Sequence, residues 1–402
     1  MGAEADQWAS LKYLQAARRA AARPSRERLE RLAARLVVFG FDGAGEEAPA
    51  AARALIARGA GGAILFGRNV AGPEQVARLC ASLKLAAAGR PGAPPGGLLT
   101  LVDQEGGRVA RLGPPFTAVP AARALGAAAE PERAAAAAGR VIGRELRAVN
   151  IDVDLAPVLD VDTNPANPVI GARAFSGDAP RVARMGAAFV PALQAEGVAA
   201  CGKHFPGHGD TAVDSHLALP TVPHGPDRLR AVELVPFAAA VRAGVAAVLV
   251  AHVAVPALDP GGRGRPASLS PPVVRLLRGE LGFDGVIVAD DMEMGAVTEG
   301  GREVAAAVVQ GLQAGVDLFL VCHTERLQHA AIDAIVEAVA TGEVALETLT
   351  RAHARDTRLM EAFCRPPHPR RPLAVVGAKQ HRDQILQVLR AGGQGGDRGE
   401  GA

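Results

Sequence analysis

Gly285-Val-Ile-Val-Ala-Asp-Asp291 is a short apolar run without alternation that stops on two carboxylates. A strand with one buried face alternates apolar and polar residues, whereas a strand buried on both faces does not. The run therefore reads as a strand of a covered, parallel sheet with charge at its carboxyl end. Working outward, seven more runs share the pattern: 36–41, 62–66, 98–102, 151–155, 198–202, 246–251 and 317–321. Segments with helical spacing, such as 50–58, 132–149, 181–196, 227–243 and 304–314, lie between them. Eight strands alternating with helices over roughly 290 residues predict an α/β fold of the (β/α)8 barrel type, which typically takes about 250. A doubly wound open sheet is the structural alternative. No GxGxxG or GxxxxGK(S/T) follows any run, which weakens its nucleotide-binding form.

Reactive side chains collect where these runs end. Asp103 follows the third, Lys203 and His204 the fifth, His252 the sixth, Asp290 and Asp291 the seventh, and Cys322 and His323 the eighth. Barrel enzymes build their sites at the carboxyl ends of the strands, so the distribution predicts an enzyme.

Composition narrows the class. The 402 residues carry 44 basic and 42 acidic side chains, a formal net charge of +2, which offers no electrostatic pull toward nucleic acid or an anionic membrane. Only 13 residues are aromatic, too few for stacking platforms along a polymer. Cys80, Cys201, Cys322 and Cys364 are scattered, with no CxxC pair, and read as free buried thiols. No run is long enough to span a membrane, and Met1 to Arg35, interrupted by Glu4, Asp6, Glu27 and Glu30, lacks the apolar centre of a signal peptide. A surface helix broken at Pro24 and a cytoplasmic protein are the expectation, with a monomer favoured.

Three stretches carry chemistry. In Gly202-Lys-His-Phe-Pro-Gly-His-Gly-Asp-Thr-Ala-Val-Asp-Ser-His216, His204 and His208 have the spacing of a helical zinc pair, with Asp210 and His216 as further ligands. Pro206, Gly207 and Gly209 make the stretch a loop, however, and remove that geometry. Acid/base work is the second reading: in extended chain Asp214 and His216 point the same way, and a carboxylate on one imidazole nitrogen leaves the other to shuttle a proton. A loop stiffened by hydrogen bonds accounts better for His208, Asp210 and Ser215. In the run that opens this section, one aspartate is explained as a helix cap, while Asp290, directly at the strand end, is a candidate nucleophile. Asp103 and Arg111 are candidates for binding sugar hydroxyls, against a plain Asp–Arg pair, and Arg173 for a substrate clamp. Asp152, Asp154 and Asp160 read as supporting residues.

Together these stretches resemble glycoside hydrolase family 3, and more narrowly its single-domain bacterial β-N-acetylhexosaminidases of cell-wall recycling. The matching segments are ILFGRN (64–69), LVDQEGGRVARL (101–112), DLAPVLDV (154–161), IGARAFS (170–176), KHFPGHGDTAVDSH (203–216) and VIVADDMEMGA (286–296). The resemblance spans about residues 33 to 360 and implies a TIM barrel that releases terminal β-linked N-acetylglucosamine, from muropeptides, with retention and without cofactor or metal. It implies Asp290 as the nucleophile and His216, held by Asp214, as the general acid/base on a loop that swings in over substrate. Asp103, Arg111, Arg173, Lys203 and His204 become the sugar ligands, and a small carbohydrate is the only partner expected. A phosphorylase or β-glucosidase of the same family is the nearest alternative. A metal-dependent hydrolase using the 204–216 loop and a non-catalytic sugar binder stand further off.

The ends fall outside the resemblance. Residues 1–32 read as a helical extension and 33–365 as the hydrolase domain. Residues 366–402 read as a Pro-rich linker and a short tail, vestigial or disordered, in which Leu373–Gly377 resembles the opening strand of the second domain of longer members.

Overall fold

The structure is a computed structural model that describes residues 24–90, 93, 96–262, 264–298, 301–367 and 373–390. The extension before Pro24, most of the Pro-rich linker and the end after Arg390 lie outside these residues. Eight parallel strands close into a barrel: β1 (Val37–Phe39), β2 (Gly62–Leu65), β3 (Leu99–Val102), β4 (Val153–Asp154), β5 (Ala199–Phe205), β6 (Ala247–Val250), β7 (Val286–Ala289) and β8 (Leu318–Val321). They pair in chain order, and β8 returns to β1 through Val38↔Leu320. Each lies within or overlaps one of the eight apolar runs, and the open-sheet alternative falls because the sheet has no edge.

The lack of alternation has the expected cause. Val38, Ile64, Leu99, Leu101, Leu249, Val288 and Leu320 fill the barrel interior, while Val37, Phe39, Leu65, Val248 and Ile287 pack outward under the helices. Both sets are buried, so the strands are apolar nearly throughout, with Thr100, Asp154, Lys203 and His204 as the buried polar exceptions. Leu359, Met360 and Cys364, at the end of the helix Leu346–Phe363, close the floor of the barrel. Below it the buried Lys84 pairs with Asp152, which Arg147 also contacts at 3.2 Å. The open end is the carboxyl end.

The tail differs from its sequence reading in one respect. Leu373–Val375 is a 3-10 turn, not a strand, and no sheet partner lies beside it. Lys379–Arg390 forms a helix that buries Ile385 and Val388 against the helix Pro131–Ala148. Glu145 of that barrel helix accepts hydrogen bonds from the Gly377 N–H at 3.0 Å, from His381 Nδ1 at 2.8 Å, and from the Thr117 N–H at 2.8 Å.

Candidate active site

All eight residues singled out from the sequence (Asp103, Arg111, Arg173, Lys203, His204, Asp214, His216 and Asp290) line one cavity of about 290 Å³ at the carboxyl end of the barrel. They come from four stretches far apart in sequence (103–111, 173, 203–216 and 290), which only barrel closure brings together.

The floor is a lattice of charge. Asp103 directly follows β3, and Lys203 and His204 end β5, joined by a cis peptide bond. Lys203 Nζ lies 2.6 Å from Asp103 and 2.7 Å from Glu105. Arg173, on the 3-10 turn Gly171–Arg173, grips Glu105 with both Nε (2.8 Å) and Nη2 (2.7 Å). Burial alone would raise the Asp103 and Glu105 carboxyls, but Lys203, with Arg111 for the first and Arg173 for the second, holds both below the usual range. Burial likewise opposes the charge on Lys203, and the two carboxylates override it and push its pKa up. The set is two anions and two cations, fully ionised and mutually neutralised.

Glu105 is the residue that sequence reading missed. It stands on the strand Gln104–Gly106, paired with Val109–Ala110 in a hairpin whose turn needs Gly107 at φ +59°. A Cβ on Gly107 would lie 2.7 Å from that of Ala121. Its signal was available: a carboxylate two residues beyond a strand-end aspartate, before a glycine turn.

His204 is neutral. Burial, with Arg173 and Lys203 alongside, drives its pKa well down. Its Nδ1–H donates to the fully buried Asp160 at 2.6 Å, and Nε2 accepts from Arg173 at 3.3 Å. Asp160 thus supports the site as read, and Asp154 does so by accepting the Gln104 N–H at 2.9 Å. Arg111 is left with capacity to spare: Nη2 is 3.7 Å from Asp103, and its buried Nε has no hydrogen-bond partner.

Both aspartates that follow β7 line the cavity, with different partners. Asp290 accepts the Asp291 N–H at 2.9 Å. Asp291 is a brace, accepting the N–H groups of Glu293 and Cys322 at 3.2 Å each and facing His323 Nε2 at 3.1 Å. His252, placed among the strand-end residues by sequence, turns away from the cavity. It is buried, and its Nε2–H donates to the Asp291 carbonyl at 3.0 Å while Nδ1 accepts from Ser268 at 2.7 Å.

The mouth carries the Asp214–His216 pair. Asp214 Oδ1 accepts from the His216 backbone N–H at 2.9 Å and from its Nδ1 at 2.7 Å. The imidazole therefore keeps Nε2 free for proton transfer. Burial would raise the Asp214 pKa, but those bonds from His216 hold it below the ordinary value. The four residues of the metal reading have other partners: Asp210 pairs with His224, His216 with Asp214, His204 with Asp160, and His208 with Thr211 and Ser215. Among the described residues no group of three His, Cys, Asp or Glu side chains converges to hold an ion.

Residues 27–359 match the glycosyl hydrolase family 3 N-terminal domain. The chain belongs to glycoside hydrolase family 3. It is a glycoside hydrolase by that membership, and its relatives agree. The β-hexosaminidase of Pseudomonas aeruginosa PAO1 is 41% identical over 276 residues, 68% of this chain and 79% of that protein. Among solved structures, the family 3 β-N-acetylglucosaminidase of Paenibacillus sp. FPU-7 superposes with a TM-score of 0.82 at 43% identity, over 90% of this chain and 68% of that one. The Neisseria gonorrhoeae enzyme solved with N-trifluoroacetyl-D-glucosamine superposes at 0.69 and 32% identity, over 89% of this chain and 97% of that one. In this family 3 barrel, no described helix is long and apolar enough to cross a membrane.

Proposed function

We propose that this chain is a retaining exo-β-N-acetylhexosaminidase that removes terminal β-linked N-acetylglucosamine through a covalent glycosyl–Asp290 intermediate. The carrying observation is that Asp290 and the Asp214–His216 pair line the same cavity, over the charged floor. The floor presents sugar hydroxyls with carboxylates as acceptors and with Arg111, Lys203 and Arg173 as donors. In the first step an Asp290 oxygen bonds to the anomeric carbon while His216 Nε2–H gives its proton to the departing glycosidic oxygen. In the second, His216 takes a proton from water, whose oxygen displaces Asp290. The anionic Asp214 stabilises the imidazolium that precedes the first step and is re-formed in the second, and it keeps Nδ1 protonated throughout. An imidazole opposite an aspartate avoids the repulsion of two facing carboxylates.

The family resemblance points to peptidoglycan-derived muropeptides in the cytoplasm as the natural source of substrate, with residues 33–365 as the catalytic unit. The docked residues 373–390 then act as a brace on its outer face.

Turnover of 4-nitrophenyl N-acetyl-β-glucosaminide against the corresponding β-glucoside tests the reading. Release from the acetamido sugar alone is expected, and Asp290→Ala should lower it by about 10,000-fold or more. Equal turnover by Asp290→Ala, preference for the glucoside, or a requirement for inorganic phosphate would each overturn it.

A further inference from the structure

The loop that carries the catalytic pair is held by a buried histidine that the mechanism above does not use. His208 is 2% exposed. Its ring meets that of His204 edge-on, with centroids 6.0 Å apart. Thr211 Oγ1 donates its one proton to the His208 carbonyl at 3.0 Å, so the contact of 2.7 Å between Thr211 Oγ1 and His208 Nδ1 has the ring as donor. Nε2 is then the acceptor, and at 3.0 Å it faces the hydroxyl of Ser215. Burial, which lowers the His208 pKa, keeps the ring in this neutral form.

Ser215 stands between Asp214 and His216. It is buried, whereas the side chains on either side are 35% and 66% exposed. Backbone contacts meet at the same point: the Ser215 carbonyl accepts the Ala296 N–H at 3.2 Å, and that of His216 accepts the Gly295 N–H at 3.1 Å. A Cβ on Gly295 would sit 2.8 Å from the His216 carbonyl oxygen, so only glycine permits that approach. At its other end His208 is fixed by Asp160, which accepts the His208 backbone N–H at 2.6 Å and is the carboxylate that orients His204.

We infer that His208 is a positioning residue: through Ser215 it sets the pivot of the Asp214–His216 pair, and through Asp160 it references that pivot to the sugar-binding His204. The inference rests on the acid/base reading of His216. Movement at the mouth is then a rotation of the exposed His216 about a tethered Ser215. Displacing a proton donor by about 1 Å is enough to cost roughly 100-fold in rate.

Leaving-group dependence provides the test. A 4-nitrophenyl aglycone departs with little protonation, whereas a methyl aglycone requires it. Ser215→Ala and His208→Leu should lower kcat/KM on methyl N-acetyl-β-glucosaminide about 10- to 100-fold further than on the 4-nitrophenyl glycoside. His208→Gln, which keeps an acceptor, should restore most of the loss. Inhibition by free N-acetylglucosamine should stay within about twofold of wild type, since the floor is untouched. Ser215→Ala removes one hydroxyl and serves where His208→Leu does not fold. Equal losses on both substrates, a weakened inhibition constant, or no loss in Ser215→Ala would refute the inference. His216→Ala is the reference: if it too lacks leaving-group dependence, the acid/base reading itself fails, whereas dependence there and not in Ser215→Ala sinks only the role of His208.

Discussion

At the floor of the cavity the Lys203 side chain is 3% exposed and held between two carboxylates, whereas at the mouth His216 leaves 66% of its side chain in solvent beside a single partner. Both regions pair acids with bases over similar distances. The floor, Arg111 apart, is saturated: Asp103, Glu105, Lys203 and Arg173 are largely desolvated and each is neutralised by neighbours on other elements. The mouth is tied down along its backbone and at the Ser215 side chain, while the His216 and Leu217 side chains project into solvent, Leu217 at 80% exposure. Under the proposed function the difference follows from the tasks. Groups that recognise a sugar gain by being preorganised, because no reorganisation is then needed as charge develops. A group that must give a proton and later take one from water has to reach both positions.

Removing one charge from the floor should have the largest effect. Lys203→Met leaves Asp103 and Glu105 buried without their shared cation, and a loss of about 3–5 kcal/mol in unfolding free energy is expected by denaturant titration. A loss below 1 kcal/mol would break the contrast. At the mouth the pattern inverts. His216→Ala should lower turnover about 100- to 10,000-fold while moving unfolding free energy by less than about 0.5 kcal/mol. A markedly destabilised His216→Ala would show that the loop is structural.

The smallest effect is a difference of sign in the pH dependence of melting. Asp103 and Glu105 have depressed folded pKa values. Their contribution is therefore present above the unfolded carboxylate values of about 4 and is lost as pH falls through the lower folded values. At the mouth the hydrogen bond from His323 to Asp291 raises the His323 pKa. That contribution is complete below the unfolded value of about 6.5 and disappears as pH rises through the folded one. Melting scans of wild type, Lys203→Met and His323→Asn should show the acid-side loss shrinking in the first variant and the weaker alkaline-side loss shrinking in the second. A shift of both limbs in either variant would mean that the two regions are not independent.

Much of this was legible before any coordinates. Strand ends expose the residues that follow them, so Asp103, Lys203, His204 and Asp290 were readable as site residues from their place after apolar runs. Asp214 and His216 were readable as a pair from their spacing of two, but the extended chain expected there is a turn, in which the Leu217 N–H meets the Asp214 carbonyl at 3.0 Å and the Asp214 side chain accepts the His216 N–H. His252 obeyed the same strand-end rule and misled, because position along the chain does not say whether a side chain points into the mouth or behind it. Glu105 escaped for a related reason: it pairs with Arg173, 68 residues away, and such a pairing has no local periodicity. His208 and Ser215 were legible only as parts of a loop stiffened by hydrogen bonds, which they form with each other.

The sequence by itself determined the barrel, because burial on both faces leaves few polar positions along a strand and that pattern survives without knowledge of any partner. It also determined the chemical types at the site. Only the tertiary structure decided which charges neutralise one another, which histidine stays neutral and buried, and which is left at the surface. Desolvation and Coulomb attraction depend on distances through space, and those exist only once the eighth strand has closed on the first.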